Sequence, residues 1–575
     1  MGPEIERCPI CQKSLNIYYT EKRSIINFYI GKFTVHCVYL YCPDHKEQKF
    51  RPEEIYELTP KYCNYGYDIV IHCGKALFFF NRTVAETVAE LKQRNILISS
   101  SEVSFLAQKF IIYLAIVHKE SGQRLKEYMT AKGGYILHLD GTNEGASPHL
   151  ISALDEISRI VLDNIKIATE KAEAMIPMLR KIKETFGDPL AIVHDMGKAM
   201  LSSTSAVFEG ILNFICHFHF LKDIGNDLFE KEYSLVRSRL KYHGISTKLH
   251  YRVRQLNVNK EHHFDINQIV SILKTDKLPE TMDAHSIKYT CYVLIEWAFE
   301  GKKHGDGFGF PFDRRHLVFH QRLTLVSQFA EELKQKYGSD CSKILKPVQL
   351  LSKDLQPITN DVEIQNILPL LLQKIKVFDK LRQAMHIMLP DSNSGLNDNG
   401  EPVEITTIEK CVTDFRKWLI NKEYYHQVPG YQKMIEQIEK YWDKLFADPI
   451  KVKTENGEIT LQPQRTNNIS ELFFRGIRRS YRKRTGNNRM AKFLQTMLKD
   501  TPLVKNLENK GYMKILLNGK ATLEERFAEV DSKIVREKLK QERCCNEKIP
   551  AKIKKIIQSK KSMNSLFNVV KLSIS

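Results

Sequence analysis

Two short apolar segments that each end in an aspartate just before a glycine constrain this chain more than any other feature. The first is Tyr135-Ile-Leu-His-Leu-Asp-Gly-Thr142 and the second is Leu190-Ala-Ile-Val-His-Asp-Met-Gly197. Apolar runs of this length bounded by turn residues read as buried strands. Asp140 and Asp195 then stand at the ends of two strands. Carboxylates so placed can share divalent cations, the arrangement that in-line phosphoryl transfer uses. A single Asp of this kind could equally cap the element that follows it. Two in one domain favour a shared site.

The chain has 575 residues, long enough for several domains and a sizeable core. Lys and Arg number 87 against 68 Asp and Glu, a net charge of +19. That surplus points to a polyanionic partner, nucleic acid before an anionic membrane surface. No apolar run reads as a membrane span and the N-terminus shows no signal-peptide core, so no membrane partner is expected. Twelve cysteines without a secretory signal are expected as reduced thiols or metal ligands, in a cytoplasmic protein.

Near the N-terminus, Cys8-Pro-Ile-Cys11 and Cys42-Pro-Asp-His45 form two knuckles separated by strand-like sequence, Ile25–Ile30 and Phe33–Leu40. Three thiolates and an imidazole suit a structural Zn2+. His36, Cys37, Cys63 and Cys73 are spare candidates for the fourth ligand. Four protein ligands leave no open position, so such a head is expected to bind DNA or to scaffold. Residues 83–94 read as a helix. After a short turn, Ser99 to Ser101 offer N-caps to a second helix with Val103, Leu106, Phe110 and Leu114 on its stripe. The pair is read as a helix-turn-helix, with an ordinary helical hairpin as the alternative.

Following the first aspartate strand, Leu150–Leu154 and Arg159–Leu162 read as a hairpin around Asp155-Glu156. Lys171 to Phe186 reads as an amphipathic helix with a kink or late start at Pro177. The second aspartate strand, a helix from Gly197 to about Val207, a strand Ile211–Cys216 and another helix follow. The order β-β-β-α-β-α-β-α is the ribonuclease-H-like pattern, a mixed sheet flanked by helices. From Cys216 to Glu471 the sequence is mostly helical: Phe220–Tyr242, Ser286–Phe299, Leu317–Tyr337, Val362–Met388 and Thr406–Trp418. Gly305 to Asp313 is a turn-rich aromatic loop, and Asp391 to Gly400 reads as a linker. Trp297 reads as a core residue; an exposed aromatic in its place could stack on a displaced base.

Arg465-Thr-Asn-Asn-Ile-Ser-Glu471 opens a late helix, where Glu471 could simply brace the first turn. Arg475, Arg478, Arg479, Arg482, Lys483, Arg484 and Arg489 follow, a density suited to a phosphate backbone. From about Lys505 the chain is Lys-rich and reads as helical, and 552–561 reads as a nonspecific DNA-contacting tail more than a folded domain.

His138-Leu-Asp-Gly-Thr142, Val193-His-Asp-Met-Gly197, Cys216-His-Phe-His219 and Thr466-Asn-Asn-Ile-Ser-Glu471 together resemble the transposases of prokaryotic insertion sequences, within the Mutator-like group of DDE/D enzymes. The resemblance runs from the head to about Asn488. It implies that Asp140, Asp195 and Glu471 form a catalytic triad holding Mg2+ or Mn2+, and that Cys216 and His219 are the C-x-x-H between the second and third acids. Read from the residues alone, that pair is a buried thiol and a core histidine. Asp223 and Glu209 are reserve carboxylates.

The expected architecture is a zinc-ribbon-like head (1–75), a helix-turn-helix (80–130), a ribonuclease-H-like α/β catalytic domain (131–225 and 461–504) split by an all-α insertion (226–460), and a basic tail (505–575). The expected function is cut-and-join transposition by two-metal phosphoryl transfer. Element ends and target DNA are its partners, a homodimer or larger assembly forms on DNA, and a prokaryotic nucleoid is its location. The rivals are a non-catalytic DNA-binding regulator and a structure-selective nuclease.

Overall fold

The computed structural model describes residues 1–258, 284–337, 343–387, 404–446, 448–454 and 457–546. The expected linker at 391–400 and the lysine run at 552–561 lie outside them. The chain divides into two compact units, Met1–Ile215 with Pro449–Ser575, and Cys216–Asp448.

The first unit is built on a five-stranded sheet. Its strands are β4 (Ile136–Thr142), β5 (His149–Asp155), β6 (Val161–Ile167), β7 (Ala191–His194) and β8 (Leu212–Ile215), in the spatial order β6-β5-β4-β7-β8. β4, β5 and β6 run antiparallel in succession, whereas β7 and β8 run parallel to β4. Central strands covered on both faces read as unbroken apolar runs, which is why β4 and β7 were legible. Helix α6 (Ala172–Phe186) buries Met175, Met178, Leu179 and Ile182 at helical spacing and runs through Pro177 without a late start. Helix α7 (Lys198–Val207) packs on α6.

Helix α4 (Ser100–Glu120) is the central pillar of this unit and is buried almost continuously from Lys109 to His118. Its length and composition alone would let it cross a membrane, contrary to the expectation from sequence, but 67% of its apolar window lies inside the protein. Helix α2 (Tyr67–Gly74) packs along it, and Phe110 sits where any side chain on Gly74 would collide.

The C-terminal segment corrects the reading of a basic tail from 505. Helices Lys510–Leu517, Leu523–Ala528 and Ser532–Asn546 belong to the first unit. Tyr512, Leu516, Leu523, Phe527, Val530 and Val535 join the hydrophobic core of α4 and the sheet. Phe527 stacks on Tyr113 with ring centroids 5.0 Å apart. Asn506 caps the edge strand, accepting from Val161 N–H at 2.8 Å and donating to its carbonyl at 2.9 Å. Unpaired edge groups invite foreign strands, and this amide closes two of them.

At the N-terminus, β1 (Asn16–Asn27) and β2 (Gly31–Tyr41) form a long hairpin, with β3 (Lys49–Phe50) beside β2. The expected strand Ile25–Ile30 is instead the end of β1 and its turn. Asn27 Oδ1 accepts from Ile30 N–H at 2.7 Å and Gly31 has a φ of 82°, turn chemistry that the run of apolar residues hid. The tip docks on α2, with Phe28 N–H donating to Asp68 at 2.7 Å. A further ribbon, β9 (Ile450–Thr454) and β10 (Gly457–Leu461), falls within what was read as insertion and belongs to the sheet-bearing unit.

Among the described residues of the second unit the regular elements are all helices. It contains α8 (His217–Tyr242), α9 (Ile245–Leu256) and helices Ala284–Gly301, Arg315–Tyr337, Lys346–Thr359, Val362–Ala384, Ile405–Ile420 and Pro429–Lys440. In the glycine loop before Arg315, the Asp313 carboxylate accepts from the N–H groups of Asp306, Gly307 and Gly309.

Candidate functional site

Strand register places Asp140 and Asp195 side by side. Leu139 of β4 pairs with His194 of the parallel strand β7, and each aspartate is the next residue. Successive side chains alternate between faces, and paired residues of neighbouring strands share a face. Asp140, within β4, and Asp195, the residue after β7 ends, therefore stand at neighbouring backbone positions toward the same edge of the sheet. Asp140 is 8% exposed and accepts from Gly141 N–H at 2.8 Å. Asp195 is half-buried and accepts from Gly197 N–H at 3.0 Å.

The helix Asn468–Thr485 begins against the same strand. The fully buried Asn467 donates from Nδ2 to the Leu139 carbonyl at 2.9 Å, and its Oδ1 lies 2.9 Å from His138 Nδ1. His138 is two residues from Asp140 and so shares its face. The other ring nitrogen of His138 lies 2.9 Å from Glu156, whose carboxylate also accepts from Gln464 N–H. A buried polar chain thus ties the segment 464–467 to β4 immediately before Asp140. Glu471 follows one turn later, half-buried, its N–H donating to the Asn467 carbonyl at 3.0 Å.

Along this helix, Glu471, Arg475, Arg478 and Arg482 recur at spacings that share a face. Arg475, Arg478, Arg479, Arg482, Lys483 and Arg489 are exposed. Ile469, Ile477 and Tyr481 are buried on the other side, and the helix packs on β4 and β5. Arg484 departs from this group. Its guanidinium lies over Phe78 and Phe493 and donates to the Leu77 carbonyl at 3.1 Å, and burial holds its pKa below the usual value.

Glu170, which the sequence did not single out, stands beside this edge. Its carboxylate lies next to Gly197, and burial and then the charge of Asp195 push its pKa up. It follows β6 in a polar stretch without strand or turn signal, so only the fold reveals its neighbour. Of the reserves, Glu209 precedes β8 and so sits at the opposite end of the sheet from Asp195. Asp223 is exposed on α8 in the helical unit.

Among the described residues, one group of histidine, cysteine and acidic side chains is gathered tightly enough to hold a metal ion: Cys8, Cys11, Cys42 and His45, with ligand atoms within 4.8 Å of one another. Asp140, Asp195 and Glu471 are not drawn that close. Cys11 and Cys42 Sγ are 3.5 Å apart, and His45 Nδ1 lies 3.5 Å from Cys42 and 3.8 Å from Cys8. Thiolates on the corners of a tetrahedron around zinc, at roughly 2.3 Å from it, would be about 3.8 Å apart. The first knuckle is shaped by Cys8 N–H donating to Lys13 O at 2.9 Å and by a left-handed Gln12. The N–H of Cys11 above all pulls the Cys8 thiol down to about 6, against burial, favouring the thiolate a metal requires. Cys37, Cys63 and Cys73 are buried elsewhere in the core and His36 is exposed, so His45 completes the set.

Helices α3 (Val84–Gln93) and α4 stand where the helix-turn-helix was expected; Ser99 is the cap of α4, as expected, and Thr83, read as the first residue of its helix, is instead the cap of α3. The buried length of α4 leaves its exposed residues at its two ends, Ser100 and Ser101 beside the preceding loop and Lys119 and Glu120 at the other end. Cys216 and His219 occupy the start of α8, the thiol buried and the imidazole half-buried against Phe218. Trp297 is half-buried beneath the Arg322 guanidinium, 4.8 Å from its ring centre, so no base could stack on that face.

No family model matches the chain, and no curated protein matches it. Among solved structures, it is similar to the Drosophila P element transposase strand transfer complex, with a TM-score of 0.30 and 10% identity over 78% of this chain and 92% of that chain. A likeness at this level carries no weight for fold or function.

Proposed function

We propose that this chain is a metal-dependent enzyme that cleaves and joins DNA strands, a transposase with a ribonuclease-H-like core. One observation carries the reading. Asp140 and Asp195 directly follow the paired residues Leu139 and His194 of adjacent parallel strands, and Asn467 fastens the Glu471 helix to the same strand as Asp140. The sheet supports the reading in that it is mixed, with three strands antiparallel in succession and two parallel to β4, and is flanked by helices.

The residues suit divalent cations. Like charges crowd at Glu170 and Asp195, and a bound cation would relieve that repulsion. Asp140, Asp195 and Glu471 would hold Mg2+ or Mn2+. Such ions would supply the Lewis acidity that lowers the pKa of attacking water or a 3′-hydroxyl and stabilises the leaving 3′-oxygen. The exposed arginines of the Glu471 face would bind backbone phosphates and fix the register of the scissile bond. Cys8, Cys11, Cys42 and His45 would hold a structural Zn2+, shaping a head that, with the exposed loop between α3 and α4, contacts element ends. Joining two ends calls for two or more copies on DNA.

The test is metal-dependent nicking of duplex DNA by the wild type beside Asp140→Asn and Asp195→Asn. Loss of nicking with DNA binding kept is expected; nicking that persists in both variants contradicts the assignment. One observation favours the rival of DNA binding without catalysis: the three acids are not gathered as tightly as the cysteine cluster. That rival predicts binding with no nicking in the wild type.

A further inference from the structure

The helical unit contains a cavity of about 380 Å3 lined by cations and by no carboxylate. Arg237 and Lys241 project into it from α8, Lys302 from the end of helix Ala284–Gly301, and His316 from helix Arg315–Tyr337. All belong to the unit Cys216–Asp448. Among the described residues, none of the ion pairs involves Arg237, Lys241 or Lys302.

Lys302 is half-buried. Its ammonium lies 4.7 Å from the centre of the Phe319 ring and donates to the Ser246 hydroxyl. Burial lowers its pKa without any carboxylate restoring it. His316 is held down first by burial and then by the charges of Arg237, Lys302 and Arg315. Several cations that repel one another and face no anion are costly to keep together unless an anion joins them.

The fourth wall is the start of α9. Gly244 is its N-cap, in a left-handed conformation, and brings no side chain to the first N–H groups. The N–H groups of a first helical turn have no acceptor within the helix, and the helix dipole favours an anion beside them. Ser246 and Thr247 add hydroxyl donors at the same wall. The wall alone would be an ordinary helix start. The cavity and the unneutralised cations, drawn from α8 and the end of helix Ala284–Gly301, are what select an anion.

We propose that this cavity binds a phosphate group, held by Arg237, Lys241 and Lys302 and by the first turn of α9. The phosphate can belong to a nucleic-acid backbone or to a small phosphorylated ligand. The inference does not depend on strand cleavage.

The experiment uses the full chain and the variant Arg237→Ala/Lys241→Ala. Both side chains are exposed, so the variant is expected to unfold at the wild-type temperature without added ligand. Lys302→Gln serves as a second variant. Thermal unfolding is measured with inorganic phosphate and pyrophosphate, with sulfate-free buffer as reference, and duplex binding is measured across a salt series. A small-ligand site gives a phosphate- or pyrophosphate-dependent rise in Tm that both variants lose. A backbone site gives a salt dependence of DNA binding whose slope falls by about one per lost phosphate contact in the variants. If both variants match the wild type in both measurements, the proposal is overturned. Neither measurement reads nicking, so failure here and failure of the transposase reading are separate results.

Discussion

The amide of Asn467 grips two consecutive residues of β4, with Nδ2 donating to the Leu139 carbonyl and Oδ1 facing His138 Nδ1, both at 2.9 Å. These contacts span 328 and 329 positions of sequence and end one residue before Asp140. Removing the amide leaves buried polar groups unpaired, at about 1–3 kcal/mol each. It also frees the turn that carries Glu471, and misplacement of a reacting group by about 1 Å can cost on the order of 100-fold in rate. Asn467→Ala should lose nicking by about that factor while keeping duplex affinity. Asn467→Asp, which keeps the acceptor towards His138 but not the donor to Leu139, should fall in between. Single-turnover nicking rates beside binding curves check this. Equal rates in all three proteins would show that the clamp positions nothing.

Arginines on one helix should separate by environment. Arg478→Ala and Arg482→Ala remove exposed cations, and each should weaken DNA binding and lower its salt slope by about one. Arg484→Ala removes a buried guanidinium packed on Phe78 and Phe493, and should lower Tm while leaving the salt slope unchanged. Salt-titrated binding and thermal unfolding of the three variants read both effects.

Phe527 tests whether the chain beyond 505 is part of the fold. It is fully buried against Phe110 and Tyr113. Phe527→Ala should cost about 3–5 kcal/mol. Denaturant unfolding measures this, and a cost below about 1 kcal/mol would mean that the segment does not pack on α4.

His118 couples stability to pH. Its Nε2 faces the Leu162 carbonyl and its Nδ1 faces the Tyr512 hydroxyl, both at 2.9 Å, and burial lowers its pKa. Its folded-state pKa lies below the unfolded value of about 6.5, so the unfolded chain takes up the proton first as pH falls. The contribution of His118 is complete above about pH 6.5 and is lost as pH falls from there towards its folded-state pKa. In His118→Gln the drop in stability between pH 7 and pH 5 should be smaller than in the wild type. An identical pH slope would remove His118 from the account.

Metal removal should act on the head. Chelation, or Cys42→Ser, should release one equivalent of bound metal and lower the unfolding temperature, because ligand thiolates and metal fold together. Metal content by elemental analysis beside thermal unfolding checks this, and a wild type purified without metal at unchanged Tm would contradict the site.

Local patterns made much of this legible. The apolar runs of β4 and β7, the cap Ser99, and the two cysteine knuckles are short-range signals, and each element formed where it was expected. What escaped depends on long-range contact. The charge of helices 510–546 gives no hint that Phe527 stacks on Tyr113. Glu170, on the link after β6, meets Asp195 only through the fold, since two strands separate β6 from β7. Arg484 looks like its neighbours in sequence and differs only in what surrounds it. The strand bounds near Ile30 failed because Asn27 and Gly31 turn the chain inside an apolar run.

The central claim is tested most directly by nicking of a labelled duplex that carries the DNA flanking the coding sequence, with Mg2+ or Mn2+, for the wild type beside Glu471→Gln. The account predicts metal-dependent nicking at a defined boundary that the variant loses while still binding the duplex. Binding without nicking in the wild type would contradict the enzyme. Nicking that survives in Glu471→Gln would contradict the third carboxylate and turn attention to Glu170.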